Sequence, residues 1–555
     1  FAEGNLKYTS TADTGVGTLG ISSGKAYFEV TISSTSNSHI GVCDIGKGIS
    51  PTRGGNWANH GGITYKQNGD QYALPQGGGS SSTVSYNGSS YTNGDIIGVA
   101  INVDDDIITF YKNGSSQGNA AEGPSHLSTN GVYSLMVYGG GTVFVANFGQ
   151  DSSFAGTKTA QGNQDGNDIG DFYYTPPTGF LALCTKNLPN VAVVPSEHFN
   201  TITYSGNSTN RTLTGVGFSP SFTWIKSRGN ATNGSDHFLF DAVRGVNAFK
   251  GLCSNGTSVE GETAAGSAQE NFGDISAFTS DGYSVYRSTA DSSHQYEGVN
   301  NNSETYVAWN WKANGSGSSN TNGSINSTVS ANVDAGFSVV SYTGNGTASA
   351  TVGHGLSAKP EMIIIKSRTG SAKSWYVYHE GLHASSPEDY RVELNTTAAA
   401  SSNTTGNSLQ GTAPTNSLFT LGNGSWVNEN TKTLIAYCFH SVDGYSKVGS
   451  YTGNGVANNG TFVYTGFRPK FVLIKRSNSD GQAAPIFDSA RSPFNIANKG
   501  LKSNSANAEI TTDGGIDLLS NGFKANQNDG EVNSDGGIYI YLAFAETPFK
   551  YSNAR

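Results

Sequence analysis

Short alternating runs dominate the hydrophobic pattern from end to end. Between Lys25 and Ile32, Ala26, Phe28, Val30 and Ile32 share one face while Lys25, Tyr27, Glu29 and Thr31 share the other. That period of two marks a half-buried strand. Ile97, Val99, Ile101 and Val103 repeat it. Asp104-Asp105-Asp106 then separates this strand from a second at Ile107 to Lys112, and the turn dipeptide Asn113-Gly114 leads into a third. A three-stranded meander is predicted. Phe144, Ala146 and Phe148 alternate once more before Gly149-Gln150. No window of about 11 to 18 residues holds a helical stripe, so the chain is expected to be all-β.

From Phe199 onward the pattern returns on itself. Tyr-[Ser/Thr]-Gly-Asn turns occur at Tyr204, Tyr342 and Tyr451. In each copy a proline then opens an apolar strand that ends on a lysine six positions later: Pro220 to Lys226, Pro360 to Lys366 and Pro469 to Lys475. Each copy closes in an apolar strand centred on Ala308-Trp309, Ala436-Tyr437 or Ala543-Phe544. Spacings of more than a hundred residues are too long for a solenoid and suit whole small domains. The expected organisation is tandem antiparallel β-sandwich domains. These are 1–150, three homologous repeats at 199–314, 337–444 and 445–555, a Gly/Asn/Pro connector at 151–198 and a spacer at 315–336. Within the connector, Gly179 to Cys184 is apolar enough to dock on a neighbour.

The length of 555 residues agrees with several domains. Charged residues make up 13%, and the net charge is −10, which leaves no cation excess to release counterions from phosphate; nucleic acid is not expected as a partner. No run approaches the ~18 apolar residues of a membrane span, so no membrane insertion is expected. Cys43, Cys184, Cys253 and Cys438 form no CxxC pair and are read as free thiols, suiting a reducing compartment. The chain opens at Phe1 without a leader and reads as a processed product. Asn-x-Ser/Thr triplets, as at Asn113, Asn207, Asn345 and Asn395, follow from the composition rather than from glycosylation.

Candidate chemistry is sparse. Phe222, Trp224 and Lys226 share one strand face, and Phe471, Leu473 and Lys475 repeat it. Downstream stand Phe240-Asp241-x-x-Arg244 and Phe487-Asp488-x-x-Arg491, whereas the middle copy has Tyr378-His379-Glu380. Catalytic pairs have no reason to recur in tandem, so Lys226, Asp241, Arg244, Lys475, Asp488 and Arg491 are read as structural ion pairs, in which Asp241 and Asp488 pair with the lysine or with the local arginine. Asp104 to Asp106 lack the alternating spacing of a calcium loop, the ten histidines form no zinc pair, and no nucleophile elbow or phosphate loop appears. No enzyme activity, cofactor or metal is expected. Binding candidates are Trp57, Asn59 and His60 in the loop Arg53 to Gly62, and Trp426 beside Asn423-Gly424; Trp309 and Trp311 are assigned to the core.

Two resemblances add to this. The series Tyr27-Phe28-Glu29-Val30, Ile40-Gly41-Val42, Gly94 to Ala100, Ile108 to Gly114 and Val145 to Gln150 resembles a SPRY domain, which implies a β-sandwich whose loops bind partners. The segments Val307 to Lys312, Val352 to Leu356, Lys447 to Gly455 and Phe544 to Tyr551 resemble repeat domains in tail-fibre-like virion structural proteins of marine tailed phages. That resemblance implies a phage virion structural protein, assembled in the host cytoplasm and then extracellular. It would be part of a tail fibre or similar appendage, contributing to host attachment. The implied partners are other virion proteins, a host-surface glycan or protein receptor, and copies of the chain in a homo-oligomer, with a trimer expected. The alternatives are a glycan-degrading tail spike and a cellular SPRY-type interaction adaptor.

Overall fold

The computed structural model describes residues 6–33, 37–46, 60–76, 82–84, 86, 88–122, 127, 131–188, 190–229, 236–268, 273–286, 298–402, 406, 408–511 and 515–551. The chain is all-β and divides into two compact units, Phe1–Asn190 with Phe462–Tyr464, and Val191–Thr461 with Thr465–Arg555.

The first unit is built on one large antiparallel sheet. Its order runs Ser82–Val84, Gln71–Gln76, His60–Lys66, His39–Asp44, Tyr133–Asn147, Lys25–Ile32, Ile96–Asn102, Ile107–Lys112, Ser115–Glu122. The last three strands are the expected meander. Asn113 and Gly114 both take positive φ, 49° and 77°, matching the hairpin turn that follows the right-handed twist of its strands.

Lys25–Ile32 departs from its sequence pattern, being buried on both faces from Ala26 onward. One face carries Phe28, Val30 and Ile32 into the main core. The other is covered by the segment expected as a connector. Leu181–Ala182 pairs with this strand in parallel, and Phe172 and Ala182 pack with Tyr27 and Ala100. Residues 151–188 are therefore part of the first unit. The carboxylate of Glu29 takes the backbone N–H groups of Tyr173 and Tyr174 at 2.9 and 2.8 Å, the Asn147 amide at 3.2 Å and the Tyr27 hydroxyl at 3.2 Å. A strand covered on both sides must satisfy its outward polar groups locally, and Glu29 does so.

The second unit contains three modules whose main sheets follow one order. In the first the order is Phe199–Ser205, Thr305–Trp311, Phe222–Ser227, His237–Asp241, Leu252–Cys253. In the second it is Phe337–Thr343, Thr433–Phe439, Met362–Ser367, Tyr376–His379, Tyr390–Glu393, and in the third Ser446–Thr452, Ile538–Pro548, Phe467–Arg476, Pro485–Asp488, Leu501–Lys502. First and last strands lie side by side, so each module closes on itself. The register also recurs. Trp224 stands opposite Trp309, Ile364 opposite Tyr437 and Leu473 opposite Leu542.

These sheets are apolar on both faces, and both must be covered. In the first two modules the outer face packs on a smaller sheet: Ile225, Phe238 and Tyr306 against Ile275, Tyr283 and Val285, and Ile363, Tyr376 and Ala436 against Val352, Phe419 and Leu421. The inner faces of all three meet in one core that includes Trp224 and Trp309, Ile364 and Tyr437, and Leu473 and Leu542. Phe199, Phe222, Trp311, Phe337, Phe471 and Phe544 fill one region of it, with ring centroids 4.9 to 6.4 Å apart in the contacting pairs. Separate sandwiches strung in tandem are thus replaced by a ring of sheets around a shared core. The expected spacer is also structured, since Ser318–Asn320 and Ser327–Asn332 extend the second main sheet at the edge strand Phe337–Thr343.

Candidate functional site

Each module carries the same turn latch. The hydroxyl of Tyr204, Tyr342 or Tyr451 donates to the carbonyl of Val299, Val427 or Val532 at 2.6 to 2.7 Å. The asparagine after each valine then pairs with the asparagine of the Tyr-x-Gly-Asn turn: Asn300 with Asn207, Asn428 with Asn345, Asn533 with Asn454. The turn glycine is required by close approach. A Cβ on Gly206, Gly344 or Gly453 would lie 1.8, 2.3 or 2.4 Å from a backbone carbonyl oxygen. The Val-Asn partner was missed from sequence because a dipeptide this common stands out only once its place is known.

The predicted ion pairs form in part. Asp241 pairs with Arg244 at 2.5 Å and Asp488 with Arg491 at 2.6 Å, all four side chains being buried. Each aspartate also takes the N–H of the arginine's own backbone, and each guanidinium donates to loop carbonyls, of Lys250 in one module and Lys499 in the other.

Lys226 and Lys475 do not pair with these aspartates. Asp241 stands opposite Phe222 and Asp488 opposite Phe471, four residues before the lysine on the same strand. Four residues of strand span about 13 Å, so the lysine is out of reach.

The lysines reach the neighbouring module instead. Lys226 donates to the carbonyls of Ser227 and Ala506 at 2.6 and 3.2 Å, Lys366 to those of Thr257 and Lys373 at 2.8 and 2.7 Å, and Lys475 to that of Thr396 at 2.8 Å. The first module thus reaches the third, the second the first, and the third the second. Burial pulls these ammonium groups down, to about 7 for Lys226 and Lys366 and about 8 for Lys475.

Arginines two positions after two of the lysines add bidentate bridges on the same seams, Arg228 to Glu509 and Arg368 to Glu260. The shared Lys-Ser-Arg run was a readable signal for them. The sequence holds no comparable signal for their glutamate partners, which sit in unaligned loops.

Trp57 and Asn59 lie outside the described residues, and of His60 only the backbone is described, opening the strand His60–Lys66. Trp426 is half-buried, packs against the core of the second module and lies 4.7 Å beneath the Arg391 guanidinium. Trp309 and Trp311 are buried in the shared core. Two of the acids at the Asp104 turn hold neighbouring groups: Asp104 accepts from the Gly24 N–H and Asp105 from the Asn102 amide. Among the described residues no group of three or more His, Cys, Asp and Glu could hold a metal, and no helix is long and apolar enough to cross a membrane.

An open concavity lies in the first unit. Its volume is about 450 Å³, and it is lined by Asn37, Lys66, Gln67, Asn68, Ser90, Tyr91 and Thr92. Its walls are tied together. The Gln67 N–H donates to the Ser38 carbonyl at 3.0 Å, the Tyr91 N–H to the Gln67 carbonyl at 3.0 Å, and the Gly88 N–H to the Gly69 carbonyl at 3.1 Å. Tyr91 braces the groove from within, its ring fully buried 5.2 Å from that of Tyr65 and its hydroxyl turned inward to the Ser38 and Tyr65 carbonyls. The lining contains no carboxylate and several groups that both donate and accept hydrogen bonds. Sequence reading did not find this groove because its residues come from three separate loops.

The SPRY domain family matches residues 25–151, so the N-terminal resemblance stands. Solved structures similar to this chain include the SPRY domain of human HERC1, at 19% identity, TM-score 0.21, covering 26% of this chain and 90% of that one. A human SPRY domain matches at 19% identity and TM-score 0.20, covering 26% and 92%. The TRIM65 PSpry domain matches at 15% identity and TM-score 0.19, covering 24% and 68%. No curated protein matches.

The reading as a phage virion structural protein of a tail fibre, located in the virion, is corrected by these findings. The family that matches residues 25–151 is SPRY, no curated virion protein matches, and nothing ties residues 199–555 to tail fibres. A match to the domain of unknown function DUF7483 spans residues 194–548, more than half of the chain and nearly all of the three-module ring, and the chain belongs to that family.

Proposed function

We propose that this chain is a non-enzymatic protein-interaction adaptor whose SPRY-like unit holds a partner's extended segment in the groove between Asn37, Gln67 and Thr92. The groove carries the reading. A preformed concavity braced from within by Tyr91 and lined by mixed donors and acceptors suits a peptide backbone, whose N–H and C=O groups need both. The three-module ring acts as a scaffold, and its modules are homologous copies. Their common strand order, register and Tyr-to-Val latch support this. Three modules in one chain supply the three-fold arrangement otherwise expected from a trimer. A non-enzymatic role is supported by the buried acids Asp241 and Asp488, which are committed to arginine and face the core.

The test is selection of peptides from a displayed random library against the full chain. Peptides should emerge that lose at least about ten-fold in affinity on Gln67→Arg or Ser90→Arg, while the melting temperature stays unchanged. Selected peptides indifferent to both changes would overturn the reading.

A further inference from the structure

The three seams of the ring are not alike. Between the first and second modules, the Tyr437 hydroxyl donates to Asp241 at 2.9 Å, the Trp375 indole to the Cys253 carbonyl at 2.8 Å, and Arg368 bridges Glu260. Between the first and third, the Trp309 indole donates to Asp488 at 3.0 Å, Arg228 bridges Glu509 at 2.8 Å, and Ser254 donates to the Ser503 carbonyl at 2.6 Å. Each of these seams thus sets an indole or phenol donor on a buried aspartate held by an arginine, and adds an ion pair.

The seam between the second and third modules replaces every part of that set. His379 stands opposite Met362 where the other modules have aspartate opposite Phe222 and Phe471. Leu382 follows at the arginine's spacing, and Leu542 takes the register place of Trp309 and Tyr437. His379 meets only the Tyr541 carbonyl across the seam, at 3.2 Å. The described residues form no ion pair across it; apart from the bonds of the covalent link itself, such as the Val448 N–H on the Ser441 hydroxyl and the Ser446 hydroxyl on the His440 carbonyl, what remains is Lys475 on Thr396, the Ala400 N–H on the Ser477 carbonyl and the Ala399 N–H on Asp480. Leucine is smaller than tryptophan or tyrosine, and a void of about 20 Å³ lies on this seam between Val377, Leu394, Leu473 and Leu542, whereas a void of about 10 Å³ is lined by all three modules. Arginine–glutamate bridges and arginine-held aspartates join two seams, whereas the third brings Lys475 to the Thr396 carbonyl in the field of Glu393. That pattern also sets the order of the modules, because any exchange would bury an unpaired charge.

We infer that the ring has one opening seam, between the second and third modules, and that the other two hold while it parts. Opening there breaks the fewest polar contacts and starts from the loosest packing. The six-residue link 440–445 keeps the two modules tethered.

Single cysteines at three register-equivalent inner positions, Leu239→Cys, Val377→Cys and Ile486→Cys, report on the three seams in the full chain, since all three residues are buried at the same place in their sheets. Maleimide labelling under native conditions, followed site by site by mass spectrometry, should be at least about ten-fold faster at Val377→Cys than at the other two, a difference of ~1.4 kcal/mol in opening. The truncation is smallest at valine, so the comparison is biased against this result. Grafting the set from the first seam, with His379→Asp, Leu382→Arg and Leu542→Tyr together, should slow labelling at Val377→Cys to the level of the others. If the graft does not fold, the comparison of the three single variants still decides. Equal rates at all three, or a faster rate at either other site, would overturn the inference.

Discussion

Asp488 shows what a single buried charge does in this molecule. It faces Arg491, whose side chain is fully buried, and takes the Trp309 indole from another module. Asp488→Ala should leave a buried guanidinium and an indole N–H unpaired and destabilise the full chain by about 3 to 5 kcal/mol in denaturant melts. Asp488→Leu with Arg491→Met should recover much of that loss, because both desolvation costs disappear. His379→Ala should cost less, since its ring holds only weaker neutral contacts to the Gly381 N–H and the Tyr541 carbonyl. Equal losses for Asp488→Ala and His379→Ala would show that the aspartate bears no special load. The Asp-x-x-Arg spacing was legible in the sequence, whereas the partners of the lysines were not. Strand geometry separates Lys226 from Asp241, and its acceptors are the Ser227 carbonyl beside it and the Ala506 carbonyl of another module.

At the level of elements, the latch explains why the Tyr-x-Gly-Asn turn recurs. Gly344→Ala would press a Cβ to 2.3 Å from the Glu429 carbonyl oxygen, against backbone that the Asn345–Asn428 pair holds in place. A loss of about 1 to 3 kcal/mol is expected from such overpacking, read as a lower midpoint in urea. An unchanged midpoint would mean that the turn relaxes freely and the latch is not rigid. The strand Lys25–Ile32 teaches the opposite lesson about legibility. Its alternation was correctly read as a strand, but Glu29 and Tyr27 are polar-looking positions that a later segment covers. Period-two patterns identify a strand and one of its faces; they do not say whether the other face meets water.

At the scale of the whole molecule, the shared core makes the three modules interdependent. Removing residues 445–555 would expose Trp224, Trp309, Ile364 and Tyr437, all in contact with the same core as Leu473 and Leu542. A chain ending at residue 444 should therefore lose the cooperative melting transition of the second unit while its SPRY-like unit, with its own core, still melts. Retention of a native-like transition for residues 191–444 would show that the modules are independent domains after all. Low charge and abundant glycine now have a local reading. Small turn residues allow the backbone-to-backbone approaches at the latches, and Asp241, Asp488 and Lys366 are buried with an ion-pair or hydrogen-bond partner each.

The sequence by itself determined the strands, the SPRY-like unit and the threefold recurrence of the Tyr turn and the Pro-to-Lys strand, because these depend on neighbours a few residues apart. Tertiary structure alone decided that residues 151–188 belong to the first unit, that 315–336 extends a sheet, and that three sheets share one core. It also decided that each lysine reaches a carbonyl of another module. These outcomes depend on which surfaces cover which apolar faces. A single chain's periodicity records that a face is apolar but carries no information about the distant segment that buries it.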